Sequence, residues 1–505
     1  MEHFPVMVPG AVAAGEPSQI SAPFDRAPIA TVEQVDHAGV ERALATADAL
    51  FRNRDGWLSP GRRIEILGRA AAILHERREQ LALEAAREGG KPLVDSLIEA
   101  DRAVDSVRLC AEHLRSQAGV EVPMDRNAAS AGRLAFTHHE PIGVVLAFSA
   151  FNHPLNLIAH QVGPAVAAGC PVVVKPAKAA PLSCFRFVRI LREAGLPDEW
   201  CQPLLTTDQD LARTMVSDRR VGFFSFIGSG EVGWALRSEL APGARCSLEH
   251  GGVAPVIVAA DADLDYAVPL LTKGGFYHAG QVCVSVQRVY AQRKIARALA
   301  ERLAEAALKL KVGDPTLPDT AVGPLIREKE VARVDAWVQE AVQHGASALC
   351  GGRAVSAEKG SGPICRNGPE GAAHKLDPTP FPPVTCYAPT VLLDPPADTR
   401  VMSHEVFGPV VCVSTFDELD DAIVRANALP YAFQAAVFTR DLDTALRTSR
   451  RLNASAVMIN DHTAFRVDWM PFAGLRESGF GTGGIPYTME DMQVQKMIVI
   501  RSKEL

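Results

Sequence analysis

Several features that would mark a specialised chain are missing from this one. No two of the 10 cysteines fall at a Cys-x-x-Cys spacing, so neither a zinc cluster nor a dithiol redox motif is supported, and no metal site is expected. Scattered thiols of this kind suit a reducing, cytoplasmic compartment. No Lys or Arg precedes Arg26, so the N-terminal stretch lacks the positive region of a secretory signal. No apolar run approaches the ~20 residues that a membrane helix needs, so no membrane partner is expected. Lys and Arg are spread through helical patterns rather than packed in blocks, which argues against nucleic acid as a partner. The net charge of −7 is too small to imply an acidic tail. The closing SKEL reads as an ordinary terminus rather than a retention signal. No internal repeat is found.

What is present is a large globular composition. Hydrophobic residues make up 47% and charged residues 22%. A chain of 505 residues suggests about three units, or two large ones, at roughly 150 residues per domain. Such a chain buries enough core to need no staples.

Periodicity gives the organisation. Residues 64–114 are strongly helical, with Ile64, Leu67, Ala71 and Leu74 on one face. Gly89-Gly90-Lys91-Pro92 breaks this run, and a second helix starts at Leu93. Residues 119–139 alternate around a polar turn and read as a hairpin-like excursion. From 141 to 260, apolar strands (IGVVLAF, PVVVKP) alternate with helical stretches at 155–168 and 182–194. A second such stretch runs from about 254 to 460, with strands PVIVAA and VQRVYA and helices at 265–276 and 295–310. Alternation of this kind predicts α/β architecture with parallel sheets covered by helices. The Gly/Pro-rich segment 351–385 has no period and reads as a long surface loop or flap.

Four short stretches carry candidate chemistry. In HAGQVCVSVQR, Cys283 follows a flexible Ala-Gly-Gln and precedes the β-prone Val284-Ser285-Val286. A buried core thiol fits there, and so does a nucleophile presented at a loop end, provided its pKa falls or a base lies close. In CSLEHGG, Glu249 is either a capping carboxylate or a general base that activates water. Gly251 and Gly252 permit close approach by something flat. In FSAFNHPLN, Asn152 either forms a turn before Pro154 or aims an amide N–H at a developing oxyanion. The run 228–233, GSGEVG, matches the dinucleotide fingerprint after a strand-like VGFFSFI. Taken alone it would make Glu249 a ribose-binding acid. Whatever the fold, a helix N-terminus after these glycines can receive phosphate oxygens.

Seven ordered blocks together resemble the aldehyde dehydrogenase superfamily, from about residue 20 to 500. They are EPIGVVLAFSAFNHPLN, VVVKPAKAAPLS, FIGSGEVG, LEHGGVAPVIV, HAGQVCVSVQRV, HEVFGPVV and MPFAGLRESGFG. The resemblance is to the branch with lactaldehyde and semialdehyde dehydrogenases. It implies a fold of two parallel-sheet α/β domains plus a small oligomerisation β-sheet. The cofactor-binding domain is expected over 1–118 and 141–252, with 464–483 returning to it. The catalytic domain is expected over 253–463, and the oligomerisation sheet over 119–140 and 484–505. Cys283 then corresponds to the nucleophile, Glu249 to the general base, and Asn152 to the oxyanion amide beside the Cys283 backbone N–H. The reading of Glu249 as a cofactor residue gives way to catalysis. Lys175, Lys178, Ser149, Phe151, Gly228, Ser229, Gly233, Glu405 and Phe407 are expected to face NAD or NADP. A homodimer or homotetramer is implied, with the apolar edge MIVI covered by a second copy.

Departures from the family pattern are informative. Lys178 stands where relatives usually carry the Glu of KPSE or KPAE. That Glu repels a 2′-phosphate, whereas Lys178 attracts one, so NADP is expected to be accepted; a solvent-facing Lys178 is the alternative. Phe151 replaces a common Trp, and His278 a common Asn. His153, Asn156 and Arg466 occupy places that are often apolar or aromatic. Arg466 suggests a short, polar or anionic aldehyde: a semialdehyde, a lactaldehyde-like compound, or a phosphono- or sulfo-aldehyde. Its competing reading is a structural salt bridge to Asp468 or Asp461. Two rival functions remain: a CoA-acylating dehydrogenase, which generally lacks the Glu, and a non-catalytic binding or structural relative.

Overall fold

The computed structural model describes residues 1–355 and 385–505, so the segment 356–384 of the expected surface loop lies outside the described residues. Among the described residues no helix is long and apolar enough to cross a membrane.

The first large sheet has six strands. In spatial order they are Gly479–Phe480, Arg245–Glu249, Val221–Ile227, Val144–Phe148, Val172–Lys175 and Cys201–Pro203. All pair in parallel except the short Gly479–Phe480, which runs antiparallel to Arg245–Glu249. The central strands are continuous apolar runs because helices cover both faces. One face carries Pro60–Glu76, Leu93–Ser116, Asn156–Ala168 and Leu182–Glu193. The other carries His37–Arg52 and the neighbourhood of Gln209–Val216 and Gly230–Arg237. Chain order reverses between Val144–Phe148 and Val221–Ile227. In open α/β sheets the crevice at the carboxyl ends of such strands is where ligands bind.

The second sheet has seven strands: Ser347–Cys350, Thr390–Leu393, Val410–Phe416, Arg288–Gln292, Pro255–Val258, Gln434–Phe438 and Ala456–Ile459. Only Ser347–Cys350 pairs antiparallel. A third, small sheet joins Glu121–Val122, Arg133–Pro141 and Gln493–Arg501. Leu134, Phe136, Met497, Ile498, Val499 and Ile500 are exposed on it.

Three sequence expectations need correction in detail. The helical run 64–114 breaks twice, at Arg77 as well as at Gly90, giving Pro60–Glu76, Arg78–Gly89 and Leu93–Ser116. The Arg77 break carries no Gly or Pro, so no residue signalled it. The stretch 484–505 is not all small sheet: Ile485–Asp491 is a helix whose Ile485 and Met489 pack in the core of the first large sheet. Val284-Ser285-Val286 is not a strand; the strand begins at Arg288.

Buried charges fix the first lobe. Lys91 and Glu99 are both fully buried and form an ion pair at 2.5 Å. The other Glu99 oxygen accepts from the backbone N–H groups of Leu155 (2.8 Å) and Asn156 (2.9 Å). Those are orphan donors at the start of Asn156–Ala168, a helix buried on every side. Removing one partner of a buried pair leaves an uncompensated charge, which costs about 3–5 kcal/mol. Lys91→Met is therefore expected to lower the melting temperature sharply, and the Lys91→Met/Glu99→Gln double variant to recover part of the loss. A single variant that melts with the wild type would show that Lys91 does not support the fold.

Candidate active site

Cys283 sits in a tight turn rather than at a strand end. Ser285 N–H closes this turn on Val282 C=O at 2.9 Å. Behind it, Val286 N–H and Ser285 Oγ–H donate to Gly274 C=O at 3.0 and 3.1 Å. Thr463 Oγ1–H donates to Val284 C=O at 2.7 Å. Ahead of it, His278, Ala279 and Gly280 are all left-handed, with φ of 47°, 54° and 69°. A Cβ at Gly280 would collide with the Gly408 carbonyl, so glycine is required there for space as well as for φ. The Gln281 side chain completes the anchoring: it donates to Pro324 C=O and accepts from Ile326 N–H, at 3.1 and 3.0 Å.

Asn152 follows the strand Val144–Phe148 and is buried. Its Nδ2–H donates to the Gln281 carbonyl at 3.0 Å, which places the amide beside the Cys283 turn and leaves its second N–H unused. Glu249 ends the strand Arg245–Glu249. The nearest cation to its carboxylate is Arg466, at 3.7 Å. The structure thus gathers Cys283, Asn152, Glu249 and Arg466 around one space. Val282, Val284, Phe433 and Phe472 form an apolar cluster, with Cys283, Tyr277 and Ala464 packed against it. The Arg466 guanidinium lies over the Phe472 ring, 3.6 Å from its centroid.

Electrostatics in this space oppose negative charge. Burial pushes the Cys283 thiol well above its usual range, the Glu249 and Glu405 carboxylates push it further, and Arg466 pulls it back. Burial also raises the Glu249 carboxyl, against Arg466 and Arg102. Burial lowers the Arg466 pKa, and Glu249 counteracts this.

The residues expected at the cofactor cluster at the carboxyl ends of the first sheet. Ser149 N–H donates to Lys175 C=O at 3.1 Å, and the Lys175 ammonium stands 5.3 Å from the Phe148 ring centroid. Ser149 Oγ is buried without a partner among the described residues. Lys178 is exposed in the turn that follows. Gly228 N–H donates to Glu249 C=O at 3.1 Å, and Ser229 is the N-cap of Gly230–Arg237 but makes no side-chain capping bond. That hydroxyl and the first-turn N–H groups remain available to phosphate oxygens. Gly233 is needed for packing, since a Cβ there would strike the His250 ring. Phe151 meets Phe407 edge-on, with centroids 6.0 Å apart. Glu405 is what approaches Gly251 and Gly252: a Cβ at Gly251 would overlap its carboxylate, and Gly252 N–H donates to it at 3.3 Å. Burial raises the Glu405 pKa to about 8.

On the substrate side the expected residues divide. Neither salt bridge proposed for Arg466 forms. Asp468 is held by Arg102 (2.6 and 3.1 Å) and His160 (2.7 Å), and Asp461 accepts from the His462 N–H at 2.7 Å. Asn156 is tied into structure, accepting from Ser106 Oγ–H at 3.1 Å and donating to Asp468 at 3.4 Å. His153 is buried and pairs with the Tyr277 hydroxyl at 2.5 Å. Sequence reasoning missed Arg102, His160, Tyr277 and Phe472, and it named Asp468 only as a partner for Arg466. The one local signal was His160, which stands at i+4 from Asn156 in a helix whose only other polar side chain is Gln161.

A large α/β protein with a dinucleotide-type crevice and a thiol, a carboxylate and an amide converging beside it has the form of a nucleotide-dependent oxidoreductase. The aldehyde dehydrogenase family model matches residues 12–366 and 379–498. The chain is similar to a 3-sulfolactaldehyde dehydrogenase of Priestia aryabhattai, 36% identical over 485 residues, covering 96% of this chain and 95% of that one. Its fold matches aldehyde dehydrogenase 21 of Physcomitrella patens in complex with the reaction product succinate, with TM-score 0.88 and 32% identity over 99% and 98% of the two chains. It also matches a glyceraldehyde-3-phosphate dehydrogenase of Methanocaldococcus jannaschii complexed with NADP, with TM-score 0.86 and 31% identity over 97% and 100%. The chain belongs to the aldehyde dehydrogenase family. It is an NAD(P)-dependent oxidoreductase with the aldehyde dehydrogenase fold.

The charge balance at Cys283 is testable by alkylation. Glu249→Gln removes a negative neighbour, so the thiol pKa falls and iodoacetamide labels Cys283 faster at pH 8. Arg466→Ala removes the opposing cation, so labelling slows. Peptide mass spectrometry at Cys283 reads both; equal rates in all three proteins would show that these groups do not set the thiol's acidity.

Proposed function

We propose that this protein oxidises a short aldehyde with an anionic tail to its carboxylate, through an acyl group carried on Cys283. Support comes from the Arg466 guanidinium, enclosed in the same apolar space as Cys283 and without a full carboxylate partner. Its nearest carboxylate oxygen, on Glu249, is 3.7 Å away, and its buried Nε–H has no acceptor among the described residues. A carboxylate, sulfonate or phosphonate presented to that edge forms charge-assisted hydrogen bonds. The likeness to a 3-sulfolactaldehyde dehydrogenase and to an enzyme complexed with succinate points the same way.

The chemistry follows from the side chains. The Cys283 thiolate attacks the carbonyl carbon and forms a C–S bond. Asn152 Nδ2–H and the Cys283 backbone N–H donate to the resulting oxyanion; losing such a donor typically costs about 2.7–4 kcal/mol of barrier. When bound, NAD(P)⁺ supplies the hydride acceptor that turns the tetrahedral adduct into a thioester. Glu249 then takes a proton from water, the hydroxide adds to the thioester, and the C–S bond breaks to release the carboxylate. The residues present fit the dinucleotide: Ser149 Oγ, Lys175 and the helix start at Ser229–Gly230 offer unused donors, and Glu405 and Phe407 face the nicotinamide end. The CoA-acylating alternative is disfavoured by Glu249, a base with no task in that reaction. The Cys283–Asn152–Glu249 convergence disfavours a non-catalytic role. We place the protein in the cytoplasm, as a homodimer or homotetramer whose second copy covers the exposed apolar face of the small sheet.

Two measurements test this reading. Arg466→Ala is expected to raise KM for succinate semialdehyde roughly 10–100-fold, the range of a lost charge-assisted bond, and to leave KM for butanal nearly unchanged, while the loss of the cation beside Cys283 and Glu249 lowers kcat for both aldehydes alike. Because Glu249 has a raised pKa, its base form is lost as pH falls through that value, so the acid limb of kcat lies above the ordinary carboxyl range. Arg466→Ala moves this limb to higher pH. An unchanged KM for the anionic aldehyde rejects the substrate assignment. Separately, Lys178 is exposed, as the solvent-facing alternative has it, yet it sets no carboxylate against a 2′-phosphate, so wild type is expected to accept NADP and Lys178→Glu to shift kcat/KM toward NAD by about tenfold. A wild type strongly selective for NAD defeats this.

A further inference from the structure

We propose that His160 is a positioning residue for Arg466, holding the guanidinium toward the substrate tail without neutralising it. This rests on the anionic-aldehyde reading above. Four residues form a line behind the pocket. Arg102 grips Asp468 with Nη2 at 2.6 Å and Nε at 3.1 Å. Asp468 Oδ1 lies 2.7 Å from His160 Nε2, and His160 Nδ1 lies 3.3 Å from Arg466 Nη2. His160 and Asp468 are both buried, so neither finds its partners in water.

The chemistry of the line assigns the imidazole tautomer. Burial alone would raise the Asp468 pKa, but His160 and Arg102 hold it well below the usual carboxylate range, so it stays ionised and can only accept. His160 must donate from Nε2. Its Nδ1 is then a lone-pair acceptor, which is what an Arg466 N–H requires. Burial and the Arg466 charge lower the His160 pKa to about 4, against Asp468, and the ring is neutral at working pH. A carboxylate at this position would pair with Arg466 and quench it. A neutral acceptor fixes orientation and leaves the full positive charge for an incoming anion. Phe472 fixes the guanidinium plane from the other side, 3.6 Å from its ring centroid.

The test uses the full-length enzyme with succinate semialdehyde and butanal. His160→Leu removes both bonds; His160→Asn keeps an acceptor near the Nδ1 position. His160→Leu is expected to raise KM for succinate semialdehyde about tenfold with butanal kinetics nearly unchanged, and His160→Asn to recover most of this. In an Arg466→Ala background, His160→Leu should not change the anionic-to-neutral preference further, because its effect runs through the missing guanidinium. If the two substitutions instead multiply, His160 contacts the substrate itself and the inference is overturned. It is also overturned if Arg466→Ala abolishes the preference while His160→Leu and His160→Asn retain it. If Arg466→Ala itself retains the preference, the underlying substrate reading fails first. Should His160→Leu not fold, His160→Asn in both backgrounds carries the comparison.

Discussion

Two buried groups that the proposed reaction would use as anions lie close together, and the carboxylate makes the thiol harder to ionise. Burial raises both the Cys283 thiol and the Glu249 carboxyl, and their proximity adds to the thiol's shift. Arg466 is the counterweight common to both. Much of the surrounding architecture is explained by this constraint. The guanidinium must be close enough to moderate the site and oriented well enough to receive a substrate. It must also avoid a tight carboxylate partner, since a closed salt bridge would remove its charge from use. The 3.7 Å separation from Glu249 and the neutral acceptor behind it satisfy all three requirements.

Backbone conformation at the thiol is set by packing rather than by propensity. Val284-Ser285-Val286 is β-prone, yet hydrogen bonds to the end of the helix Leu264–Phe276 and to Thr463 hold it in an irregular path. Local preference loses to tertiary context there. Two non-glycine residues, His278 and Ala279, stand in the left-handed region just ahead of it. Such conformations cost of order 1–3 kcal/mol each and persist only where surroundings over-determine them. The Gln281 side chain, bonded to Pro324 and Ile326, is one of those surroundings. The same residue's carbonyl receives Asn152, so the loop that presents the sulfur also orients the amide.

The parts legible in the sequence were those with local causes. Val144–Phe148, Val172–Lys175 and Val221–Ile227 read as buried strands because both faces are covered and nearly every position is apolar, Ser225 and the terminal Lys175 excepted. Around Cys283, Glu249 and Asn152 the residues alone left a structural and a chemical reading open, and the roles expected there came from the family resemblance. What stayed hidden depends on distance along the chain. His160 and Asp468 are 308 positions apart, and Arg102 and Asp468 are 366 apart. No spacing rule joins them. A salt bridge from Arg466 to Asp468 or Asp461 was the competing, local reading, and the structure gives Asp468 to partners from two distant helices instead. Gly251 is the intermediate case. Its need for space was visible, but the group that fills the space, Glu405, is not its neighbour in sequence.

Arg466 owes its place to the path of the chain between the two large sheets. The last strand of the second sheet, Ala456–Ile459, leads into the segment that carries Thr463, Arg466, Asp468 and Phe472. That segment ends at Gly479–Phe480, which pairs antiparallel with Leu248 and Glu249 of the first sheet, and Ser478 C=O accepts from His250 N–H at 3.0 Å. The substrate-side residues therefore hang between anchors in both lobes. The strand that ends with Glu249 is one of those anchors. A shift of one lobe against the other would move Arg466 relative to Cys283 and Glu249 together. The ties from Thr463 to Val284 and from Asp468 to Arg102 and His160 resist that shift. On the proposed reading, the group that receives the aldehyde's tail lies on this segment, and the group that activates water lies on the strand that anchors the segment's end. Their relative geometry is held by the same contacts that hold the two sheets in register.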